Sequence, residues 1–295
     1  MNTPARAANS ALNDVTSNAT NKPIMDMILQ AFTRPQRQAE TEDDKKALTH
    51  ARPVSIPYAG LELRAWTWGQ GPQVLLLHGW ESRASHMAGF VAPLLQAGFS
   101  VTALDAPAHG ASQGETTNVL DYGKAVVAVA NHLGPLTATI AHSVGSAASL
   151  YAFAQGVQVR ASVHLCGPAS LTRVFQYAAR AGGLDEASRQ QLEDMLASRI
   201  GSPLSAMDLS QLQHGMRHPA LIMHDPEDKE MPYSESQALV DAWPQASLVA
   251  SAGTGHRRIL RTPEIHSAAV RFLIEGVAAA LVGKIAEFEK TGETS

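Results

Sequence analysis

The chain has 295 residues, 45% of them hydrophobic, a formal charge of −4 and a single cysteine, Cys166. That length buries a substantial core in one large α/β domain or two small ones. Scattered Lys and Arg give no footprint for nucleic acid or an anionic membrane, and one cysteine excludes an internal disulfide, which fits a reducing compartment. No signal-peptide core or bilayer-length apolar run is present, so a cytoplasmic location is expected.

Residues 1–22 are polar, hold too few large apolar residues to pack, and are expected to form a disordered tail. From Pro23, the positions Ile24, Met27, Ile28, Ala31 and Phe32 fall at helical spacing, with Pro23 suited to the first turn and Pro35 ending the run. This short amphipathic helix is expected to pack on the main body. Arg34 to Arg52 is charged and reads as a solvated linker or exposed helix.

The main body begins at Pro53. Val54–Pro57 and Leu61–Trp68, joined at Ala59-Gly60, read as a hairpin at a sheet edge. Val74 to Leu77 is apolar on both faces, the pattern of a strand covered by helices on both sides. The same grammar repeats: helix near Ser85 to Ala97, strand Ser100–Leu104, helix Asn118–Leu133, strand Thr137–Ala141, helix Val144–Gln155, strand Ala161–Cys166. Such alternation predicts a doubly wound, mostly parallel α/β sheet.

Pro168 to His218 breaks the alternation with two helical stretches, near Ala169–Ala181 and Asp185–Ile200. It is expected to be a helical cap inserted at the carboxyl edge of the sheet. Strand 220–223, helix 234–242, strand 247–249 and a helix from about Pro263 to Val277 or beyond complete the pattern. The expected partition is a core of residues 53–167 and 219–282, a cap of residues 168–218, an N-terminal helix and linker over 23–52, and a tail over 283–295.

Five strand-end loops carry polar groups, where open α/β sheets bind ligands. His142-Ser143-Val144-Gly145 joins strand to helix without a linker, so Ser143 stands at the apex of a sharp elbow and the N–H of Val144 faces whatever its hydroxyl attacks. Small neighbours are needed two residues to either side, and Ala141 and Gly145 supply them. After the apolar strand comes His78-Gly79-Trp80, where the glycine lets the Trp80 N–H turn inward as an oxyanion donor. Asp105 to Gly110 forms a rigid polar turn. The late loops His224 to Pro232 and Gly253 to His256 supply carboxylates (Asp225, Glu227, Asp228) and an imidazole in the order Ser, Asp, His.

With these motifs in hand, residues Pro53 to Val277 resemble the α/β-hydrolase superfamily, through HGW at 78–80, DAPAHG, AHSVG, DPEDKEMP and GTGH. The resemblance implies Ser143 as nucleophile, Asp228 as acid and His256 as base, with the Trp80 and Val144 N–H groups as oxyanion hole. It implies hydrolysis of a carboxylic ester or similar small acyl substrate through an acyl-enzyme, without metal or other cofactor. Thioester, lactone or C–C hydrolysis, perhydrolysis and acyl transfer use the same three residues, and a non-catalytic ligand-binding module on this fold is the alternative of another class. Ala141 and Ser146 stand where the family often has glycine and are expected to bear on substrate fit. His142 is expected to point away from Ser143, His78 and His109 to be structural, and His214, His218 and His224 are spaced too irregularly for a metal site. Phe175 and Tyr177, two apart on a helix, cannot both face the pocket.

Overall fold

A computed structural model describes the backbone of residues 21–292, with side chains described to residue 279. The tail expected over 1–22 lies outside the described residues except for Asn21 and Lys22, which belong to helix α1 (21–33). The elements that follow are α2 (Glu42–Ala47), β1 (Arg52–Tyr58), β2 (Leu61–Trp68), β3 (Gln73–Leu77), a 3₁₀ stretch (Ala84–Phe90) leading into α3 (Val91–Gln96), β4 (Ser100–Leu104), α4 (Val119–Leu133), β5 (Ala138–His142), α5 (Val144–Ala154) and β6 (Ala161–Leu165). The inserted segment holds α6 (Leu171–Ala181), α7 (Glu186–Ile200) and α8 (Leu209–Leu212). β7 (Ala220–His224), α9 (Tyr233–Ala242), β8 (Ala246–Ala250) and α10 (Pro263–Gly292) complete the chain. The tail expected over 283–295 is corrected in part: α10 continues through Gly292.

The eight strands order as β1-β2-β4-β3-β5-β6-β7-β8, with β1 and β2 antiparallel and β3 to β8 parallel. The all-apolar reading of the central strands has a simple cause. Every residue of β4, β5, β6 and β7 is buried, because helices cover both faces. One face packs Val74, Leu76, Val101, Ile140 and Val163 against Phe90, Leu94 and Leu273. The other packs Leu75, Leu77 and Leu104 against Tyr122, Val126 and Val129 of α4. Each such side chain withdrawn from water contributes about 1.5–3 kcal/mol before conformational entropy is subtracted.

Chain order places the site. From β3 the chain moves to β4 on one side, then crosses to β5 on the other, so β3 and β5 are neighbours at the point where the winding reverses. Leu77 pairs with Ala141, which brings the loop after β3 beside the loop after β5. Open α/β sheets form their binding crevice there.

The roof differs from the expectation in its composition. Helix α1 packs on the inserted helices as well as standing beside the sheet domain: Met25, Ile28 and Leu29 share a core with Phe175, Ala179, Leu192, Leu196 and Leu204. The Phe32 and Phe175 rings meet edge to face, centroids 5.2 Å apart. Residues 34–48 are not merely a solvated linker. Thr41 and Asp44 form a reciprocal capping box at the start of α2, and Asp44, 8% exposed, accepts a 2.6 Å hydrogen bond from Ser85 and pairs with Arg83 at 3.4 Å. Burial opposes its charge, but the Ser85 and Thr41 hydrogen bonds outweigh that and hold the carboxyl well below the usual range.

The inserted segment is tied to the sheet domain by Glu235 at the start of α9. Its buried carboxylate accepts from the N–H groups of Ala169 (2.8 Å) and Ser170 (3.1 Å) and from Arg173 Nε (2.8 Å). Among the described residues, no helix is long and apolar enough to cross a membrane.

Candidate active site

Ser143 terminates β5 and begins α5 with φ 52° and ψ −123°, a left-handed backbone that a non-glycine residue adopts only when its surroundings enforce it. Its N–H is held by Leu165 O of β6 at 2.8 Å, and its C=O accepts the Ser146 N–H at 2.9 Å. Gly145 is required by close approach: a Cβ there would stand 2.5 Å from His78 O and 2.8 Å from Leu77 O. Gly79 is required likewise, since its Cβ would meet His142 Nδ1 at 2.8 Å. Elbow and neighbouring loop thus close on each other through two missing side chains.

Three residues named from sequence come together in a hydrogen-bonded row. Ser143 Oγ lies 3.0 Å from His256 Nε2, and His256 Nδ1 lies 2.7 Å from Asp228 Oδ2. A carboxylate only accepts, so Nδ1 carries the proton and Nε2 is free to accept from the hydroxyl. The Asp228 side chain is fully buried and that of His256 is 7% exposed. Burial would raise the Asp228 pKa, but hydrogen bonds from His224, His256 and the Met231 N–H overcome it and hold the carboxyl far below the ordinary range.

The neighbouring carboxylates do other work. Asp225 accepts from Glu227 N at 3.0 Å and Gly255 N at 2.6 Å, which staples the two late loops together, while Glu227 is exposed. His224, which the spacing argument merely dismissed as a ligand, holds the acid: its fully buried Nε2 lies 3.2 Å from Asp228 Oδ2 and 3.0 Å from Met231 O. Its Nδ1 accepts from Ser236 Oγ at 2.7 Å. No sequence pattern announced this, because the contact depends on the turn that folds Asp228 back over β7.

His142 is a correction. Instead of pointing away, its ring lies 4.8 Å from the His256 ring, and its Nε2 donates to His256 O at 2.8 Å. Burial, with the neighbouring His256 adding to it, lowers the His142 pKa to about 3, so the imidazole is neutral and braces the loop that carries His256. Strand alternation failed because the chain leaves the pleat at Ser143.

His78 is structural as expected. Its Nδ1 donates to Gly79 O at 2.6 Å and its Nε2 accepts the Ala106 N–H at 3.0 Å, pinning the loop after β3 to the loop after β4. Asp105 fixes that second loop by accepting from Ala84 N (2.7 Å) and Ala111 N (2.6 Å), and burial raises its pKa to about 6. His109 differs in part. Its Nδ1 donates to Pro107 O at 2.9 Å, which leaves Nε2 a bare acceptor, and burial lowers its pKa to about 4. That Nε2 and the Trp80 indole N–H are buried without a hydrogen-bond partner among the described residues, and both side chains line the cavity that holds Ser143.

Ala141 and Ser146, expected to bear on substrate fit, line neither cavity at the site. Ala141 is sheet core, and Ser146 faces a buried chain in which its Oγ bonds His164 Nδ1 (2.7 Å), His164 Nε2 bonds Ser162 Oγ (2.9 Å) and Ser162 Oγ bonds His218 Nε2 (2.9 Å). Phe175 is fully buried in the roof and Tyr177 is 59% exposed, so neither lines the site.

Ser143 and His256 open into a cavity of about 790 Å³ whose walls include Gln36, Thr41, Asp43 and Asp44 and five arginines: Arg37, Arg83, Arg257, Arg258 and Arg261. A second cavity of about 210 Å³ lies under the roof and is bounded by Phe32, Val119, Val144, Leu171, Leu196 and Met231, with Trp80 shared by both. Sequence reasoning missed the contributions of residues 31–44 to these walls. The run His256-Arg257-Arg258 through Arg261 was the one available signal for the basic wall. Among the described residues, one group could hold a metal ion: Cys166, Asp228 and His256, with donor atoms within 4.8 Å of one another. It fits a metal poorly, since burial pushes the Cys166 thiol up and Asp228 and His256 already hold each other.

Comparison with known proteins agrees with this architecture. Residues 72–199 match the family described as alpha/beta hydrolase fold. A human serine hydrolase-like protein is 39% identical over 59 residues, which is 20% of this chain and 29% of that protein, so the match spans under a third of its length. Among solved structures, the Pyrococcus furiosus esterase Pf2001 superposes with a TM-score of 0.64 at 23% identity, covering 83% of this chain and 99% of that one. Est1E from Butyrivibrio proteoclasticus, solved with ferulic acid, gives 0.61 at 18% identity over 76% of this chain and 99% of its own. The thioesterase domain from the curacin biosynthetic pathway gives 0.56 at 15% identity over 77% of this chain and 100% of its own. Strand order, the superpositions and the sequence match over residues 72–199 agree in giving this chain the alpha/beta hydrolase fold.

Proposed function

We propose that the protein is a serine hydrolase that cleaves a carboxylic ester or similar small acyl substrate through an acyl-enzyme, with Ser143 as nucleophile, His256 as base and Asp228 as acid. The observation that carries this reading is the row Ser143 Oγ–His256 Nε2–His256 Nδ1–Asp228 Oδ2, at 3.0 and 2.7 Å, on a serine held at positive φ. His256 takes the hydroxyl proton as Ser143 Oγ attacks the carbonyl carbon, and Asp228 fixes the tautomer and stabilises the imidazolium. The backbone N–H groups of Trp80 and Val144, neither engaged in a loop or cap hydrogen bond, receive the oxyanion. His256 then protonates the leaving group, and a water that gives its proton to His256 releases the acid. Each oxyanion donor of this kind accounts for about 10²–10³ in rate.

The test is labelling with a fluorophosphonate probe together with turnover of a short-chain 4-nitrophenyl ester. Both are expected in the unaltered protein and both are expected to vanish in Ser143→Ala. A folded protein that neither labels nor turns over esters, yet binds small acyl compounds tightly, overturns the proposal in favour of a ligand-binding module.

A further inference from the structure

The two cavities that meet at Trp80 differ in kind, and the proton path assigns them. The group expelled from a tetrahedral intermediate takes its proton from His256 Nε2, so it must stand on the His256 side. His256 lines the 790 Å³ cavity and not the smaller one. Val144, whose N–H faces the oxyanion in the proposed reaction, lines the smaller one instead. The acyl chain therefore runs past Trp80 into the apolar chamber under the roof, and the leaving group occupies the larger, arginine-walled chamber.

The charges of that chamber do not cancel. Arg83 pairs with Asp44 at 3.4 Å, Arg257 with Glu230 at 3.1 Å, and Asp43 stands 3.7 Å from Lys46. The other three guanidinium groups have no carboxylate partner among the described residues. Arg37 donates to the carbonyls of Gly110, Ser112 and Gly114, Arg258 donates to those of Gly253 and Thr254, and the Arg261 side chain has no hydrogen bond or ion pair among the described residues. Carbonyl oxygens satisfy the N–H groups but leave the positive charge in place. Against these three stands one lining carboxylate without a cation in ion-pair range, Glu81, which accepts the Gln36 N–H at 3.0 Å. A concave wall with surplus positive charge raises the local concentration of anions.

We infer that the substrate joins an apolar acyl chain of modest size to a larger leaving group that bears negative charge: an alcohol or thiol carrying phosphate, sulfonate or carboxylate. The inference rests on the proposed role of Ser143. In the step itself the Ser143 Oγ to acyl-carbon bond forms and the carbon–oxygen or carbon–sulfur bond to the leaving group breaks. The leaving group departs as the neutral alcohol or thiol with the proton passed from Ser143 through His256, its own anionic groups unchanged.

The experiment uses the full chain and four hexanoyl substrates: the 4-nitrophenyl ester, the 4-hydroxybenzenesulfonate ester, the choline ester and the coenzyme A thioester. Each kcat/KM is divided by the rate of hydroxide hydrolysis. An order of anionic over neutral over cationic, with the anionic-to-neutral ratio about tenfold and collapsing towards one near about 0.5 M salt, is expected. Arg258→Glu and Arg261→Glu, both exposed positions, are each expected to lower that ratio at least threefold. The sulfonate and thioester arms separate a small anionic alcohol from a phosphorylated thiol, and preference for either supports the inference. Equal or reversed preference, or a ratio indifferent to salt and to both substitutions, overturns it while fluorophosphonate labelling of Ser143 leaves the proposed reaction standing. Loss of labelling in the unaltered protein brings down both.

Discussion

The strand-end loops and the roof are built on opposite principles. Each loop of the site leaves a neighbouring strand, so the sheet fixes its position and a short hydrogen bond locks its partner: His78 to the β4 loop, Asp225 between the two late loops, His142 to the His256 loop. The roof has no such frame beyond the Glu235 carboxylate that anchors the start of α6. It is assembled from α1 and the inserted α6 and α7, with α1 far from the other two in the chain; they meet chiefly through apolar side chains at Met25, Ile28, Leu29, Phe175 and Leu196, with side-chain hydrogen bonds from Asn21 to Ser188 and from Gln176 to Glu193 at the margins. The proposed chemistry rests on the first kind of construction, and the shape of the space around it rests on the second.

The comparison can be broken most sharply at Asp228. Asp228→Asn removes the acceptor that sets the His256 tautomer, and kcat on a short ester is expected to fall by about 10⁴-fold with the fold intact by circular dichroism. A loss under tenfold would place the acid elsewhere. In the roof, Phe175→Ala empties a fully buried site and is expected to cost about 3–5 kcal/mol locally. Hydrogen exchange should then show α1, α6 and α7 opening while the strands stay protected, and Ser143 should still react with a fluorophosphonate. Equal loss of protection in sheet and roof would erase the distinction drawn between them.

Acid probes the core beneath the loops. Burial lowers the pKa values of His142 and His164 to about 3 and of His218 to about 4, against an ordinary value near 6.5. Folded-state values below the unfolded ones mean that the unfolded chain binds more protons between about pH 6.5 and 3. Stability from each is therefore whole above pH 6.5 and declines by about 1.4 kcal/mol per pH unit as pH falls through that window. Asp105, raised to about 6, works in the opposite sense below pH 6 but is one group against three. The urea midpoint is expected to drop between pH 7 and pH 5, and an unchanged midpoint would contradict neutral buried imidazoles. The smallest effect concerns the elbow: Ser143→Gly relieves positive-φ strain that Ser143→Ala keeps, so the glycine variant is expected to be about 1 kcal/mol more stable in urea titration, and the reverse order would mean that the turn is unstrained.

What could be read before the fold was known follows the same division. The parallel sheet was legible because double-sided burial writes itself as unbroken apolar runs such as Val74 to Leu77, and the elbow because its geometry admits only small residues around Ser143. Ser143, Asp228 and His256 were placed by motif order, and the structure brings those three within hydrogen-bonding range. His142 was misread because alternation stops where the elbow starts, and the contact of His224 with Asp228 was not foreseen because a histidine four residues before an acid carries no signal of the turn between them. Residues 34–48 looked like linker since exposed charges dominate them. That Arg37 and Asp44 help wall the 790 Å³ cavity depends on where α1 is anchored, which is a tertiary fact without a local pattern.

The union of α1 with the inserted helices also has a temporal side. During synthesis α1 is made with its apolar stripe uncovered, and Phe175 and Leu196, against which it will rest, are added only after β1 to β6. Closing so long a loop costs entropy that is recovered only when both partners exist. Strands β1 to β6 and the serine elbow are thus made before the partners of α1, whereas β7 and β8, with the loops that carry Asp228 and His256, are made after them, so the two chambers are completed only when both ends of the fold exist.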